Sequence, residues 1–269
     1  SSSPRAPATL VESKEIPALG LNALAISTLS CDVELSAEEG DQVRVTLFGR
    51  NGRDRPSLQT EVRDGRLTVA TRYGNPSPRN DQGRLEIRLP RSYQGDVSVQ
   101  TVAGDAKISD LSCRGLKWDT QSGDFSLRKF TGQTAALTAV SGDLKLVDAG
   151  GTFQIKTTSG NVTLERFSGA LALETVSGNL QADYLEYGQQ PISFASISGD
   201  VRLTLPAQAN PGISVDTYSG EVESSFPLAS LVTGKARAGS LDVPAGIRVK
   251  TVSGEISIVG GASSPAPNP

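Results

Sequence analysis

Eight copies of one short phrase constrain this chain more than any other feature. They read TVAGD (Thr101–Asp105), TQSGD (Thr120–Asp124), AVSGD (Ala139–Asp143), TTSGN (Thr157–Asn161), TVSGN (Thr175–Asn179), SISGD (Ser196–Asp200), TYSGE (Thr217–Glu221) and TVSGE (Thr251–Glu255). Their glycines are Gly104, Gly123, Gly142, Gly160, Gly178, Gly199, Gly220 and Gly254, spaced by 19, 19, 18, 18, 21, 21 and 34 residues. Self-similarity at a fixed period is the mark of a repeat architecture.

Each copy reads as two strands around a turn. Seven and five residues before the glycine stand apolar pairs such as Val97 and Val99, Phe153 and Ile155, and Ile247 and Val249. Two and four residues after it stand Phe125 and Leu127, Val162 and Leu164, and Ile256 and Ile258. Residues between them are mostly polar, among them Lys107, Lys145, Gln154, Gln181 and Arg202. Apolar residues two apart define a strand with one buried face. A second turn follows in several copies, at Gly115, Gly132, Gly150 with Gly151, and Gly169.

One such unit is too small to bury its own apolar face, and stacking units into continuous columns solves this. The expected fold is therefore all-β: a parallel β-solenoid, or β-helix, with 18–21-residue coils. The corner glycines suit a turn needing positive φ, and packed coils leave little room there. The phrase has a degenerate antecedent in Leu24, Ile26, Thr28, Cys31, Val33 and Leu35, with Cys31 in the glycine column, and its second half recurs after Gly83. Val43–Gly49 and Arg66–Ala70 read as strands, Gly49–Ser57 and Tyr73–Gly83 as loops. We expect a flexible segment over 1–20, an irregular β cap over 21–90, the repeat solenoid over 91–259 and a disordered Pro-rich tail over 260–269. The long last interval predicts an inserted hairpin around Pro227–Leu241.

Composition narrows the function. Lys plus Arg is 26 against 29 Asp plus Glu, a net charge of -3, without the concentrated positive field that nucleic acid requires. No apolar run is long enough for a transmembrane segment. Histidine is absent, which removes His-based triads and His-ligated metal sites. Methionine is absent too, and we expect a leader ahead of Ser1 to have been removed.

The repeated TVSGD and TVSGN phrases over roughly 21–259 resemble the bacterial putative adhesin family, a domain of unknown function related to head-domain auto-transporter adhesins. The resemblance implies an extracytoplasmic location in the cell envelope, periplasm or cell surface, no enzymatic activity, no cofactor and no catalytic residues. The function expected is a non-catalytic surface solenoid that presents a binding or assembly face to an envelope protein or glycan. The Ser-rich head suits a trimmed lipoprotein. The alternatives are a carbohydrate-binding or carbohydrate-cleaving solenoid and a self-associating structural module.

Several columns are candidate sites. Two residues before each glycine stand Val102, Gln121, Val140, Thr158, Val176, Ile197, Tyr218 and Val252. Their parity is outward yet their character is apolar. Either the chain bends and buries them, the reading favoured here, or Val102, Val140, Val176, Ile197, Tyr218 and Val252 form an exposed partner ridge. The acidic column Asp105, Asp124, Asp143, Asn161, Asn179, Asp200, Glu221 and Glu255 offers one oxygen donor group per coil, thin for Ca²⁺, and reads as turn chemistry. A calcium roll is rejected because the second turns at Phe130–Gly132 and Phe167–Gly169 carry no Asp. Thr101, Thr120, Thr157, Thr175, Thr217 and Thr251, with Ser196, read as strand-end residues bonding to backbone. Asp119, Lys156, Glu174, Asp216 and Lys250 form a mixed, solvated column. Cys31 and Cys113, the two cysteines, are a candidate disulfide in an oxidising compartment.

Overall fold

The computed structural model describes residues 9–49, 55–73, 83–234, 237–239 and 246–261. Every regular element among them is a strand. Residues 1–8 of the expected head, residues 262–269 of the expected tail and most of both expected loops lie outside the described residues. The chain divides into two compact units, Ser1–Ser126 and Leu127–Pro269.

The first unit holds β1 (Thr9–Pro17), β2 (Ala23–Ser27), β3 (Asp32–Glu38), β4 (Gln42–Gly49), β5 (Ser57–Arg63), β6 (Arg66–Arg72), β7 (Arg84–Pro90), β8 (Asp96–Gln100) and β9 (Ala106–Thr120). Its coils pair in parallel, and apolar residues meet like residues. Leu24 lies between Leu67 and Val97, and Val33 lies between Leu85 and Ala106. All six are buried. The spatial order departs from chain order. The coil β2–β3 sits between β6–β7 and β8–β9, so the first coil in sequence is an inner coil in space.

Antiparallel strands cover the open side: β4 on β7, β1 on β4, and β5 on β6. Covering a sheet edge in this way keeps its unpaired N–H and C=O groups from other chains. The segment expected to be flexible thus contains β1, paired along β4 from Thr9↔Gly49 to Pro17↔Gln42 with Val11 buried.

The second unit holds β10 (Phe125–Ala139, nearly all of it here), β11 (Leu144–Thr157), β12 (Val162–Glu174), β13 (Leu180–Tyr184), β14 (Ile192–Ser196), β15 (Val201–Pro206), β16 (Ile213–Thr217), β17 (Val222–Ser224), β18 (Ser230–Thr233), β19 (Arg237–Gly239), β20 (Ile247–Thr251) and β21 (Ile256–Gly261). β11 and β12 run in parallel register from Leu144↔Val162 to Lys156↔Glu174. A column of aromatic rings fills this core, Phe130, Phe153, Phe167 and Tyr184, with successive centroids 5.8, 5.0 and 5.3 Å apart and near-perpendicular planes. Edge-to-face contact is the favoured geometry for such rings.

Chain order breaks again at this end. β20 lies between β14 and β16, and β21 between β15 and β17. The last coil in sequence is wedged between its two predecessors. The expected hairpin is β18 with β19, antiparallel, and β18 stacks on β16.

Close approach explains the first corner. A Cβ on Gly160 would stand 1.8 Å from Gly142 O, and one on Gly123 would stand 2.0 Å from Gly104 O. The expected positive φ holds only at Gly254 (122°) among the eight. The steric reason is the carbonyl of the neighbouring coil, and the backbone there is otherwise ordinary. Cys31 fits the column because its neighbour is Gly83, whose missing side chain leaves room for Sγ; a Cβ on Gly83 would be 2.6 Å away.

The second corner does not interrupt the strands. β9 to β12 run through it, bending at a left-handed residue six after each glycine: Asp110 (φ 54°), Lys129 (53°), Asp148 (54°) and Arg166 (46°). A buried Leu111, Phe130, Ala149 or Phe167 follows each bend.

Candidate functional site

The outward parity of the residue two before each glycine is real, and the favoured inward bend is not. Val102 is 40% exposed, Val140 52%, Val176 45%, Ile197 54%, Tyr218 71% and Val252 50%. Hydrogen bonding explains why. The ridge residue's carbonyl points along the stack and accepts the N–H of the serine that follows the next ridge residue: Ser177 to Thr158 at 3.0 Å, Ser198 to Val176 at 3.0 Å, Ser253 to Ile197 at 2.9 Å and Ser219 to Val252 at 2.9 Å. With Thr and Gly turned inward on either side, the side chain between them has only solvent to face.

In the second unit the ridge runs Val140, Thr158, Val176, Ile197, Val252, Tyr218 in space. Five coil steps make it roughly 24 Å long at about 4.8 Å per step. Four of the six are Val or Ile, whose χ1 is stiff. Ser159, Ser177 and Ser219 border the ridge, and their hydroxyls turn back to the backbone carbonyls of Val140, Thr158 and Val252. In the first unit Val102 stands in the same position, and so does Leu29, 57% exposed. The ridge expected from the sequence omits Leu29, although Leu29 stands two residues before Cys31 in the glycine column.

The acidic column is a capping ladder. Asp105 N–H donates to Asp32 Oδ1 (2.9 Å) and Asp124 N–H to Asp105 Oδ1 (2.8 Å) in the first unit. In the second unit Asn161 donates to Asp143, Asn179 to Asn161, Asp200 to Asn179 and Glu255 to Asp200, all between 2.8 and 3.1 Å. A short side-chain oxygen at each step satisfies the corner amide of the next coil. Among the described residues no group of three or more acidic or thiol side chains is arranged to hold a metal.

The Thr column is buried and bonds to the corner as expected: Gly178 N–H donates to Thr175 Oγ1 at 3.0 Å, and Gly199 N–H to Ser196 Oγ at 2.8 Å. The hydroxyls also bond across coils, Thr101 with Thr120 at 2.9 Å and Thr251 to Thr217 at 2.8 Å. In the mixed column Lys156 faces Glu174, and Asp216 faces Lys250, on the exposed side.

No disulfide joins Cys31 and Cys113. Cys31 lies at the first corner, its Sγ 2.5 Å from Tyr73 Oη, and Cys113 at the second, where its thiol bonds Gly115 O at 3.5 Å. The strand between the corners keeps them on the order of 20 Å apart, against roughly 4.4–6.8 Å between the Cα atoms of a disulfide.

Ion pairs tie the second corner. Arg166 grips Asp148 through Nε (2.6 Å) and Nη2 (2.9 Å), and this holds the Asp148 carboxyl below the usual range. Arg114 does the same to Asp96, and Arg91 bonds Asp110 at 2.7 Å. Among the described residues no helix is long and apolar enough to cross a membrane.

Two solved structures share this architecture. A protein of Parabacteroides distasonis described as a "putative lipid binding protein" is 12% identical, with a TM-score of 0.54 over 92% of this chain and 96% of that one. A "putative adhesin" of the same species is 11% identical, with a TM-score of 0.51 over 93% and 97%. No curated protein matches the sequence. Residues 21–259 fit the Toastrack DUF4097 family, and the chain belongs to it.

Proposed function

We propose that the protein is a non-catalytic surface module of the cell envelope, adhesin-like, whose working part is the apolar ridge. The observation that carries this reading is the exposure of Val140, Val176, Ile197, Val252 and Tyr218 in one straight row. Exposed apolar rows on a soluble surface are contact surfaces. Stiff Val and Ile side chains lose little rotamer freedom on docking, so less of the contact energy is offset by ordering. The reading includes an extracytoplasmic location, an envelope protein or glycan as partner, and kinship with head-domain adhesins. The fold it shares with a protein described as an adhesin supports it.

The test is retention on cell-envelope fractions of the source organism. Wild type is compared with the triple variant Val176→Asp, Ile197→Asp, Val252→Asp. These side chains already face water, so folding should survive, and circular dichroism checks it. Retention should fall about tenfold, the effect of losing 1.4 kcal/mol of contact. Equal retention of both proteins overturns the reading.

A further inference from the structure

One cleft lies away from the ridge, near the second corner, and its chemistry is different. It forms where the corner changes. In the β12 coil the chain bends at Arg166 and the strand continues to Glu174. In the next coil the register shifts, and Tyr184, which is buried, stands opposite Phe167; β13 ends there and the chain leaves through residues 185–191. The wall built by the earlier corner therefore stops, leaving a cleft of about 430 Å³ lined by Glu165, Arg166, Gln181, Asp183, Leu185, Arg202 and Thr204 among others.

The register places these residues in two adjacent rows. Gln181 faces Arg202, and Asp183 faces Thr204. Arg166 is committed to Asp148, and Glu165 leans to Lys145 at 3.7 Å. Asp183 and Arg202 are diagonal neighbours of opposite charge, yet among the described residues neither closes an ion pair. Four polar side chains thus point into one cleft with their capacity open: a carboxylate that accepts, a guanidinium that donates, and an amide and a hydroxyl that do both. The two carboxylates and two guanidiniums of the lining cancel. Leu185, 40% exposed, adds an apolar patch at the rim.

We infer that this cleft is a binding site for a neutral pyranose unit of a glycan. A vicinal diol matches the lining: one hydroxyl donates to Asp183 while its neighbour accepts from Arg202 or Gln181, and the ring's C–H face meets Leu185. A cation or an anion would find one of the two charges of the lining set against it. The site is independent of the ridge and does not rest on the envelope reading.

Saturation-transfer NMR with a panel of methyl pyranosides tests it, using gluco, galacto, manno and N-acetylglucosamine forms, with glucuronate and inorganic phosphate as charged comparators. Asp183→Asn and Arg202→Gln are made separately, since both side chains are at the surface and either fold can be checked by circular dichroism. The expected result is transfer to at least one neutral pyranoside, weakened about tenfold in each variant, with the ridge triple variant unchanged. Three results overturn the inference: no transfer to any neutral pyranoside, equal transfer in wild type and both variants, or binding confined to glucuronate or phosphate.

Discussion

The backbone N–H of Glu255 donates to Asp200 Oδ1 at 2.8 Å, across 55 residues of chain. The wedged coil is therefore held by the same side-chain cap that joins Asn179 to Asn161 across 18 residues. Sequence distance does not enter the contact; the column position does. Any two coils with matching columns can stack, and the chain uses this freedom at both of its ends.

Close approach at the first corner predicts that Gly160→Ala is severely destabilising. The added carbon would sit 1.8 Å from Gly142 O, which is backbone and cannot step aside. Overpacking of this kind costs about 3 kcal/mol. The urea midpoint should fall accordingly. Gly188→Ala is the control, since a Cβ there meets only the Gln190 side chain, at 3.1 Å or more.

Asp32 stands at the start of its ladder beside Asp105. Burial, and then the Asp105 charge, raise its carboxyl above the ordinary range against the help of the Asp105 N–H. A folded value above the unfolded one disfavours folding once both are ionised, and the penalty vanishes in acid where both are protonated. Asp32→Asn keeps the accepting oxygen and removes the charge, as the chain itself does at Asn161 and Asn179. The variant should be about 0.5 kcal/mol more stable near neutral pH, a modest figure for a half-exposed group. Thermal melts should show the gain shrinking as pH falls through the carboxylate range. A variant less stable than wild type at neutral pH would contradict the ladder argument.

The Asp148–Arg166 pair predicts the opposite slope. The arginine's hydrogen bonds hold the Asp148 carboxyl low, so its contribution is full above the unfolded carboxylate value and is lost as pH falls through the folded one. With side chains 39% and 27% exposed, the pair should contribute about 0.5 kcal/mol at most. Arg166→Gln should lower the melting temperature near neutrality and match wild type in strong acid. A constant gap at all pH values would show that Arg166 acts through packing alone.

Burial, with the Asp96 charge adding to it, pushes the Cys113 thiol up to about 12. The thiolate is the nucleophile, so little of the reactive form exists at ordinary pH. Iodoacetamide at mildly alkaline pH should modify Cys113 only as fast as the protein unfolds, with mass spectrometry after digestion reading the site. Rapid modification of Cys113 in native protein would show that its corner opens.

The coils are legible because their apolar residues recur two apart around a corner phrase that is repeated within this one chain. What escaped was the order of stacking. Leu24, Leu67 and Val97 are equivalent in type, and so are Ile192, Ile213 and Ile247, so nothing in the pattern says which neighbours which. The second corner escaped because its left-handed residues are Asp110, Lys129, Asp148 and Arg166, none of which advertises a bend as glycine does. The inward bend expected at the ridge puts apolar character above parity. Parity is fixed by the backbone; at Val176 and Ile197 it prevails. The cleft beside Asp183 and Arg202 had no sequence signal, since it depends on where β13 stops.

The wedging of β20 and β21 bears on how such a protein can grow. A further coil appended after Gly261 would emerge between two occupied layers and find no free ladder to join. Copies added among the 18-residue coils near Gly142 and Gly160 would simply lengthen the pile, since donor and acceptor columns there match above and below. Expansion of the second unit should therefore proceed by duplication among its 18-residue coils, with the wedged coil of β20 and β21 retained.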